Sequence, residues 1–144
     1  MTIAGVEAVL LDTCAAISLM NRRPMRPEAQ AAMRAASVAD GLFISPVTAW
    51  EVGLLSRPGR RGSVEFLPDA KVWIERLLDG PSIRPAPFTF SIALESSTLP
   101  EPFHDDPADR LLVATARHML VPLVTSDRRI LAYGAAGHVQ VVPC

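Results

Sequence analysis

Residues 103–127, FHDDPADRLLVATARHMLVPLVTSD, hold a helix with too few polar residues to lie on a surface, followed by a strand too apolar to keep a wet face. Asp106 stands where an N-cap belongs, Pro107 suits the first helical position and Asp109 falls third, which locates the helix start and makes its first turn acidic. From Leu111 to Leu120 only Thr115, Arg117 and His118 are polar, so the helix is expected to be covered on most sides. The run 121–125 then reads as a short buried strand. A covered helix feeding a buried strand is what packing against a parallel sheet demands. Two carboxylates acquire places from this: Asp109 at a helix N-terminus and Asp127 at a strand C-terminus.

The rest of the chain repeats the alternation. Residues 6–11 form an apolar run stopping at Asp12, read as a central parallel strand with a carboxylate at its end. Residues 13–20 have helical character, and an alanine-rich helix follows over 27–38, starting at a proline. A strand over 42–45 leads into a helix over 46–55, where Ser45-Pro46 supplies a cap and a first-turn proline. Helices are also expected over 68–78, 88–94 and 128–133, a connector over 95–103, and a last strand over 139–142. Residues 83–86 can only be an edge strand, because Pro85 has no N–H for a ladder. Short strands alternating with helices give an α/β fold with a mostly parallel sheet.

At 144 residues the chain is expected to be one domain, 1–144, long enough to bury about two-thirds of its unfolded surface. Its 49% hydrophobic and 20% charged content excludes a disordered chain. No apolar run approaches the roughly 20 residues of a membrane span, and the first residues lack the features of a signal peptide, so a cytoplasmic location and no membrane partner are expected. Cys14 and Cys144 make no disulfide framework and read as free thiols, with Cys14 facing the core. The net charge of -1 does not announce a nucleic-acid binder. Yet 13 of the 14 basic residues are arginine, clustered in loops at Arg22, Arg23 and Arg26, at Arg57, Arg60 and Arg61, and at Arg128 and Arg129. Such clusters suit phosphate contact or a solvated face equally.

Four acids stand apart. Asp12 and Asp127 end strands, Asp109 opens a helix, and Glu51 lies within the apolar stripe Val47, Trp50, Leu54 and Leu55. In an open parallel sheet, sites form outside the carboxyl ends of the strands, so Asp12 and Asp127 would share one crevice if their strands are neighbours. Several close carboxylates need a counter-cation, and hard oxygen donors suit Mg²⁺ or Mn²⁺. Helix capping explains Asp12 and Asp127 as well, and Asp109 could complete a capping box begun by Asp106. Capping cannot explain Glu51, an acid in mid-helix on an apolar side. Asp106 could assist a metal through water, and Thr125 and Ser126 could orient a metal-bound water or simply end a strand. His104 reads as a loop histidine.

LLDTCAAISL, ISPVTAWEVGLL and, above all, HDDPADRLLVATARHMLVPLVTSD resemble the three motif blocks of PIN-domain ribonucleases, specifically the VapC-type toxins of bacterial toxin-antitoxin pairs. The resemblance runs from about Val9 to Val142. It implies a PIN-like three-layer α/β fold, with a twisted sheet of four to five strands and helices on both faces. Asp12, Glu51, Asp109 and Asp127 match the family's acidic cluster, which implies a Mg²⁺- or Mn²⁺-dependent endoribonuclease. Such toxins are generally homodimers held inactive by a cognate antitoxin, and cleave RNA such as tRNA, rRNA or mRNA to arrest translation and growth. Asp12 and Asp127 are then the expected direct ligands, with Glu51 and Asp109 binding directly or through water. The loop arginines Arg22, Arg23, Arg26, Arg57, Arg60 and Arg61 would meet RNA or the antitoxin. Arg110, within DPADR, would either join them or bridge a neighbouring acid. The proline-rich connector 80–103 lies outside the strongest motifs.

Other acid-cluster folds fit less well. A receiver domain needs a late catalytic lysine, and the only lysine is Lys71, inside an expected helix; a haloacid-dehalogenase-like phosphatase needs an aspartate where Cys14 stands. A non-catalytic binding module of the same fold remains the alternative from another functional class.

Overall fold

The structure is a computed structural model that describes residues 7–59 and 64–144. Among these, five strands form one parallel sheet: β1 (Ala8–Leu11), β2 (Gly41–Ile44), β3 (Ile83–Pro85), β4 (Leu123–Thr125) and β5 (Val141–Pro143), in the spatial order β3-β2-β1-β4-β5. Seven helices connect them: α1 (Thr13–Met20), α2 (Pro27–Ser37), α3 (Pro46–Leu55), α4 (Ala70–Leu78), α5 (Phe90–Ser97), α6 (Pro107–Met119) and α7 (Arg128–Ala135). The strand order reverses between β1 and β4, so the switch point of the sheet falls between the strands that end at Asp12 and lead to Asp127.

Successive residues of a strand point to opposite faces, and both faces of β1 are covered. Val9 and Leu11 pack with Leu42, Ile44, Val124 and Val142 against α1, α2, Trp73 and Leu77. Leu10 and Leu123 turn the other way, onto Ile92, Leu112, Val113, Ile130 and Tyr133. An uninterrupted apolar run is what a strand buried on two sides requires, which is why β1 and β4 do not alternate.

Caps explain most boundary differences from expectation. Asp69 accepts from Val72 N, so the helix expected at 68 begins at Ala70. Thr89 accepts from Ile92 N, so the helix expected over 88–94 is Phe90–Ser97 and takes up the start of the expected connector. Pro85 does sit in an edge strand, paired to Ile44. β4 begins at Leu123, although the carbonyl of Pro122 still accepts from Leu10 N at 2.9 Å. Leu120 is exposed at a left-handed φ of 57°, closing α6 rather than packing within it. Two burial expectations are corrected. Trp50 is 49% exposed, because α3 buries Val47, Thr48 and Val52 instead. Cys14 is exposed, because α1 turns Ala15, Ala16 and Ile17 to the core. Val6 lies outside the described residues.

Candidate active site

The site is built where β1 and β4 end side by side. The backbone N–H of Asp12 donates to the carbonyl of Val124 at 3.1 Å, which ties the end of β1 to β4. Asp12 Oδ1 caps α1 by accepting from Ala15 N at 2.7 Å, and its carboxyl also takes a hydrogen bond from the Thr125 side chain. Thr125 Oγ1 in turn accepts from Asp127 N at 3.0 Å, so one buried hydroxyl connects the two strand-end aspartates. Asp127 Oδ1 caps α7 through Arg129 N at 2.9 Å and Ile130 N at 3.1 Å. Capping and convergence are therefore properties of the same carboxylates, because a strand that ends where a helix begins delivers its cap residue to the sheet edge.

Asp109 and Glu51 approach from the flanking helices. Asp106 caps α6 by accepting from Asp109 N at 3.0 Å. The side chain of Asp109 does not return to close a capping box; its Oδ2 lies 2.7 Å from His104 Nε2. Glu51 on α3 receives the hydroxyl of Thr13 on Oε1 at 2.5 Å, and Thr13 Oγ1 lies 3.1 Å from Thr48 Oγ1. The compensation that a mid-helix glutamate needs comes from the first residue of α1, in a half-buried setting.

The four acids act on one another. Burial, followed by the charges of Asp109 and Asp127, pushes the Asp12 carboxyl up to about 6, against the hydrogen bonds from Thr125 and Ala15 N. Glu51 is raised by burial and then by Asp109, Asp106 and Asp12, with the Thr13 hydroxyl opposing. Asp109 is raised by burial and then by Asp106 and Asp127, with His104 opposing. Cys14 is exposed as a residue, yet partial desolvation of its thiol and, after it, the charges of Asp12, Glu51, Asp109 and Asp127 push that thiol up. One side chain thus feels all four carboxylates. Arg129, read from the sequence as part of an arginine cluster suited to phosphate, answers part of this charge instead: its guanidinium stands 3.8 Å from both Asp109 and Asp127.

Among the described residues, no three His, Cys, Asp or Glu side chains could hold one ion between them. A closed cage of three direct carboxylates is therefore not what the site offers. A hydrated divalent cation does fit, since Mg²⁺ keeps several waters and takes only one or two protein carboxylates directly. The all-oxygen donor set and the raised, mutually repelling carboxyls are the chemistry that such an ion relieves.

The remaining candidates separate. Thr125 is buried beside the acids, whereas Ser126 and Asp106 are exposed at the rim. Arg22 and Arg23 are exposed and line a cleft of about 520 Å³ with Arg34, Ser37 and Leu42, beside the end of α2 and the start of β2 rather than the acid end of the sheet. Arg26 is exposed near the acids: its charge reaches the thiol of Cys144, whose N–H donates to Thr125 O at 3.1 Å. Arg57 is exposed, while Arg60 and Arg61 lie outside the described residues. Of the two roles expected for Arg110, the bridge to a neighbouring acid is found, and contact with RNA or an antitoxin does not fit its burial. Arg110 is buried, and its guanidinium donates to the carbonyls of Ser96, Phe103 and His104, with Glu101 at 3.5 Å. Thr13, Thr48, His104 and Arg129 were missed as site residues. Of these, His104 carried a local signal in standing five residues before Asp109, and Arg129 carried one in its pairing with Arg128, which was read for phosphate contact.

Comparisons with known proteins agree with this architecture. The PIN domain profile matches residues 9–136. Ribonuclease VapC22 of Mycobacterium tuberculosis (strain ATCC 25618 / H37Rv) is 32% identical over 128 residues, covering 89% of this chain and 93% of that protein. In fold, the chain resembles the crystal structure of VapBC2 from Rickettsia felis bound to a promoter DNA fragment, with a TM-score of 0.66 at 12% identity over 94% of this chain and 98% of that one. It likewise resembles a toxin-antitoxin complex from Klebsiella pneumoniae, with a TM-score of 0.60 at 23% identity over 93% and 95% of the two chains. With the profile spanning both strand-end aspartates and both helix acids, the chain belongs to the PIN-domain family.

Proposed function

We propose that this chain is a divalent-metal-dependent endoribonuclease acting as one domain, the toxin of a toxin-antitoxin pair. The observation that carries the reading is the convergence of Asp12, Glu51, Asp109 and Asp127 at the switch point of the sheet, each raising or sharing the charge burden of the others. The relative named a ribonuclease and the structural relatives that are toxin-antitoxin complexes support the same reading.

Bound Mg²⁺ or Mn²⁺ would supply charge neutralisation at a phosphodiester and a more acidic water. Asp12 and Asp127 would hold it, with Thr125 keeping their carboxyls in register, and Glu51 and Asp109 would bind directly or through water. Glu51 suits the removal of a proton from the attacking water, since burial raises its proton affinity and Thr13 engages only Oε1. Oriented by hydrogen bonds before substrate arrives, the part-buried carboxylates would hold the cation without rearrangement, and it is the cation's positive charge that would offset the negative charge developing on the phosphate. Exposed Arg26 and Arg57 would hold the RNA backbone, and single-stranded bases would provide any sequence choice. A cognate antitoxin would cover the acid groove, the toxin would pair with a second copy of itself, and the site of action would be the cytoplasm, where its RNA is found. The described residues contain no helix long and apolar enough to cross a membrane.

The test is cleavage of total RNA by the purified protein with Mg²⁺ or Mn²⁺, beside EDTA and Asp12→Asn controls. Discrete fragments that vanish in both controls are expected. Cleavage surviving both would sink the acid-cluster mechanism, and a folded, antitoxin-free protein that binds RNA without cutting it would make the chain a binding module. That no three His, Cys, Asp or Glu side chains among the described residues could hold one ion between them is the observation that favours this second reading.

A further inference from the structure

His104 is 15% exposed, and its two ring nitrogens meet different surroundings. Nε2 lies 2.7 Å from Asp109 Oδ2, whereas Nδ1 is buried and, among the described residues, has no hydrogen-bond partner. A proton on Nδ1 would be buried without an acceptor, so the neutral ring carries its proton on Nε2 and donates it to the carboxylate. The ring is held in that pose. It packs on Phe103 at 4.3 Å, Phe103 stacks on Tyr133 at 4.2 Å, and the Tyr133 hydroxyl donates to Pro100 O at 2.6 Å. Arg110 reaches back from α6: its Nη1 donates to the carbonyls of Phe103 and His104, each at 3.2 Å, and its Nε donates to Ser96 O at 2.8 Å, at the end of α5. The helical turn that presents Asp109 thus also carries the clamp on the loop that orients it. Among the described residues, no hydrogen bond reaches Asp109 Oδ1.

The geometry points to His104 as a positioning residue of the site: it holds Asp109 by Oδ2 and leaves Oδ1 for the acid-lined cleft, while Arg110 locks its loop. Without that donor the carboxylate can rotate and offer either oxygen to Arg129, 3.8 Å away. Partners that orient the groups around a metal site characteristically affect metal affinity or activity about 10- to 100-fold. The consequence for catalysis rests on the nuclease reading; the orientation of Asp109 does not.

Two variants separate the role from simple filling of space. Glutamine at 104 can place its amide N–H near the position of Nε2, whereas leucine fills space and donates nothing. His104→Leu is expected to lower both kcat for RNA cleavage and Mn²⁺ affinity, read by electron paramagnetic resonance, about 10- to 100-fold, with KM for RNA within about threefold of wild type. His104→Gln is expected to recover most of both. Should the leucine variant fail to fold by thermal melting, His104→Asn, whose amide falls short of Asp109, takes its place. Wild-type kcat and Mn²⁺ affinity in the donor-less variant, or a glutamine variant as impaired as it, would overturn the inference. Long-range proton–nitrogen correlation spectra of the metal-free protein at pH 8 give a readout independent of RNA. A ring protonated on Nε2 is expected, and one protonated on Nδ1 overturns the assignment. If wild-type protein cuts no RNA, the nuclease reading fails, while the spectra and the Mn²⁺ affinities still decide the role of His104.

Discussion

Asp12 caps a helix and belongs to an acid cluster with the same carboxylate, and the two roles pull on stability in opposite directions. Its folded pKa is raised from 3.8 to about 6, so the native state binds the proton more tightly than the unfolded chain does. Stability of the metal-free protein therefore falls as pH rises from about 4 to about 6, and the cost is fully present above that window. One pKa unit corresponds to about 1.4 kcal/mol, which puts the upper bound near 3 kcal/mol. Asparagine keeps the cap and removes the charge. Asp12→Asn is accordingly expected to be more stable than wild type by roughly 1–3 kcal/mol at pH 7.5 without divalent ions, with the gain lost near pH 4. Urea denaturation at the two pH values measures this; equal stability at both would show that the buried carboxylate costs nothing. Arg26 offers a second test at this scale. Replacing it with alanine should weaken RNA binding across sequences and lower the salt slope by about 0.7, the contribution of one contact to a single strand. An unchanged slope would remove Arg26 from the RNA path.

At the scale of elements, α7 sits on the start of β5 so closely that Gly134 leaves no room for a side chain. A Cβ on Gly134 would lie 2.5 Å from Val141 Cγ2, 2.9 Å from its Cγ1 and 3.2 Å from Val139 O. Gly134→Ala should therefore push α7 from β5 and destabilise the fold by about 1–3 kcal/mol, with Val141→Ala restoring part of the loss in a thermal-melt double-mutant cycle. If the two changes are simply additive, the contact is not what fixes α7. Much at this scale was legible in the sequence. Asp106-Pro107 places the start of α6, Ser45-Pro46 the start of α3, and Pro85 an edge strand, because caps and missing N–H groups act within a few residues. The boundaries of α5 were not legible in the same way. The sequence reads a helix over 88–94 and a connector from 95, whereas Thr89 caps a helix that runs over Phe90–Ser97 and leaves Phe88, Phe90 and Leu94 exposed. Burial is a property of the neighbours, which periodicity does not name.

For the whole molecule, the arrangement β3-β2-β1-β4-β5 converts four scattered carboxylates into a single electrostatic unit. Anything that binds this unit only in the folded state stabilises it by mass action. Mg²⁺ at about ten times its Kd should raise wild-type stability by about 1.4 kcal/mol, and should do little for an Asp12→Asn, Asp127→Asn double variant. Scanning calorimetry against MgCl₂, with NaCl at matched ionic strength to separate screening from coordination, measures it. An equal response in both proteins would place the ion elsewhere. By itself the sequence determined the alternation of covered helices and apolar strands, the acidic start of α6, and the presence of an aspartate at two strand ends, since these depend on interactions a few residues apart. Only the tertiary structure decided that β1 and β4 are neighbours, that Thr125 joins Asp12 to Asp127, that Thr13 supports Glu51 across 38 residues, and that Arg110 faces inward. Strand order and cross-element hydrogen bonds follow from the packing of every element at once, and no local pattern carries that information.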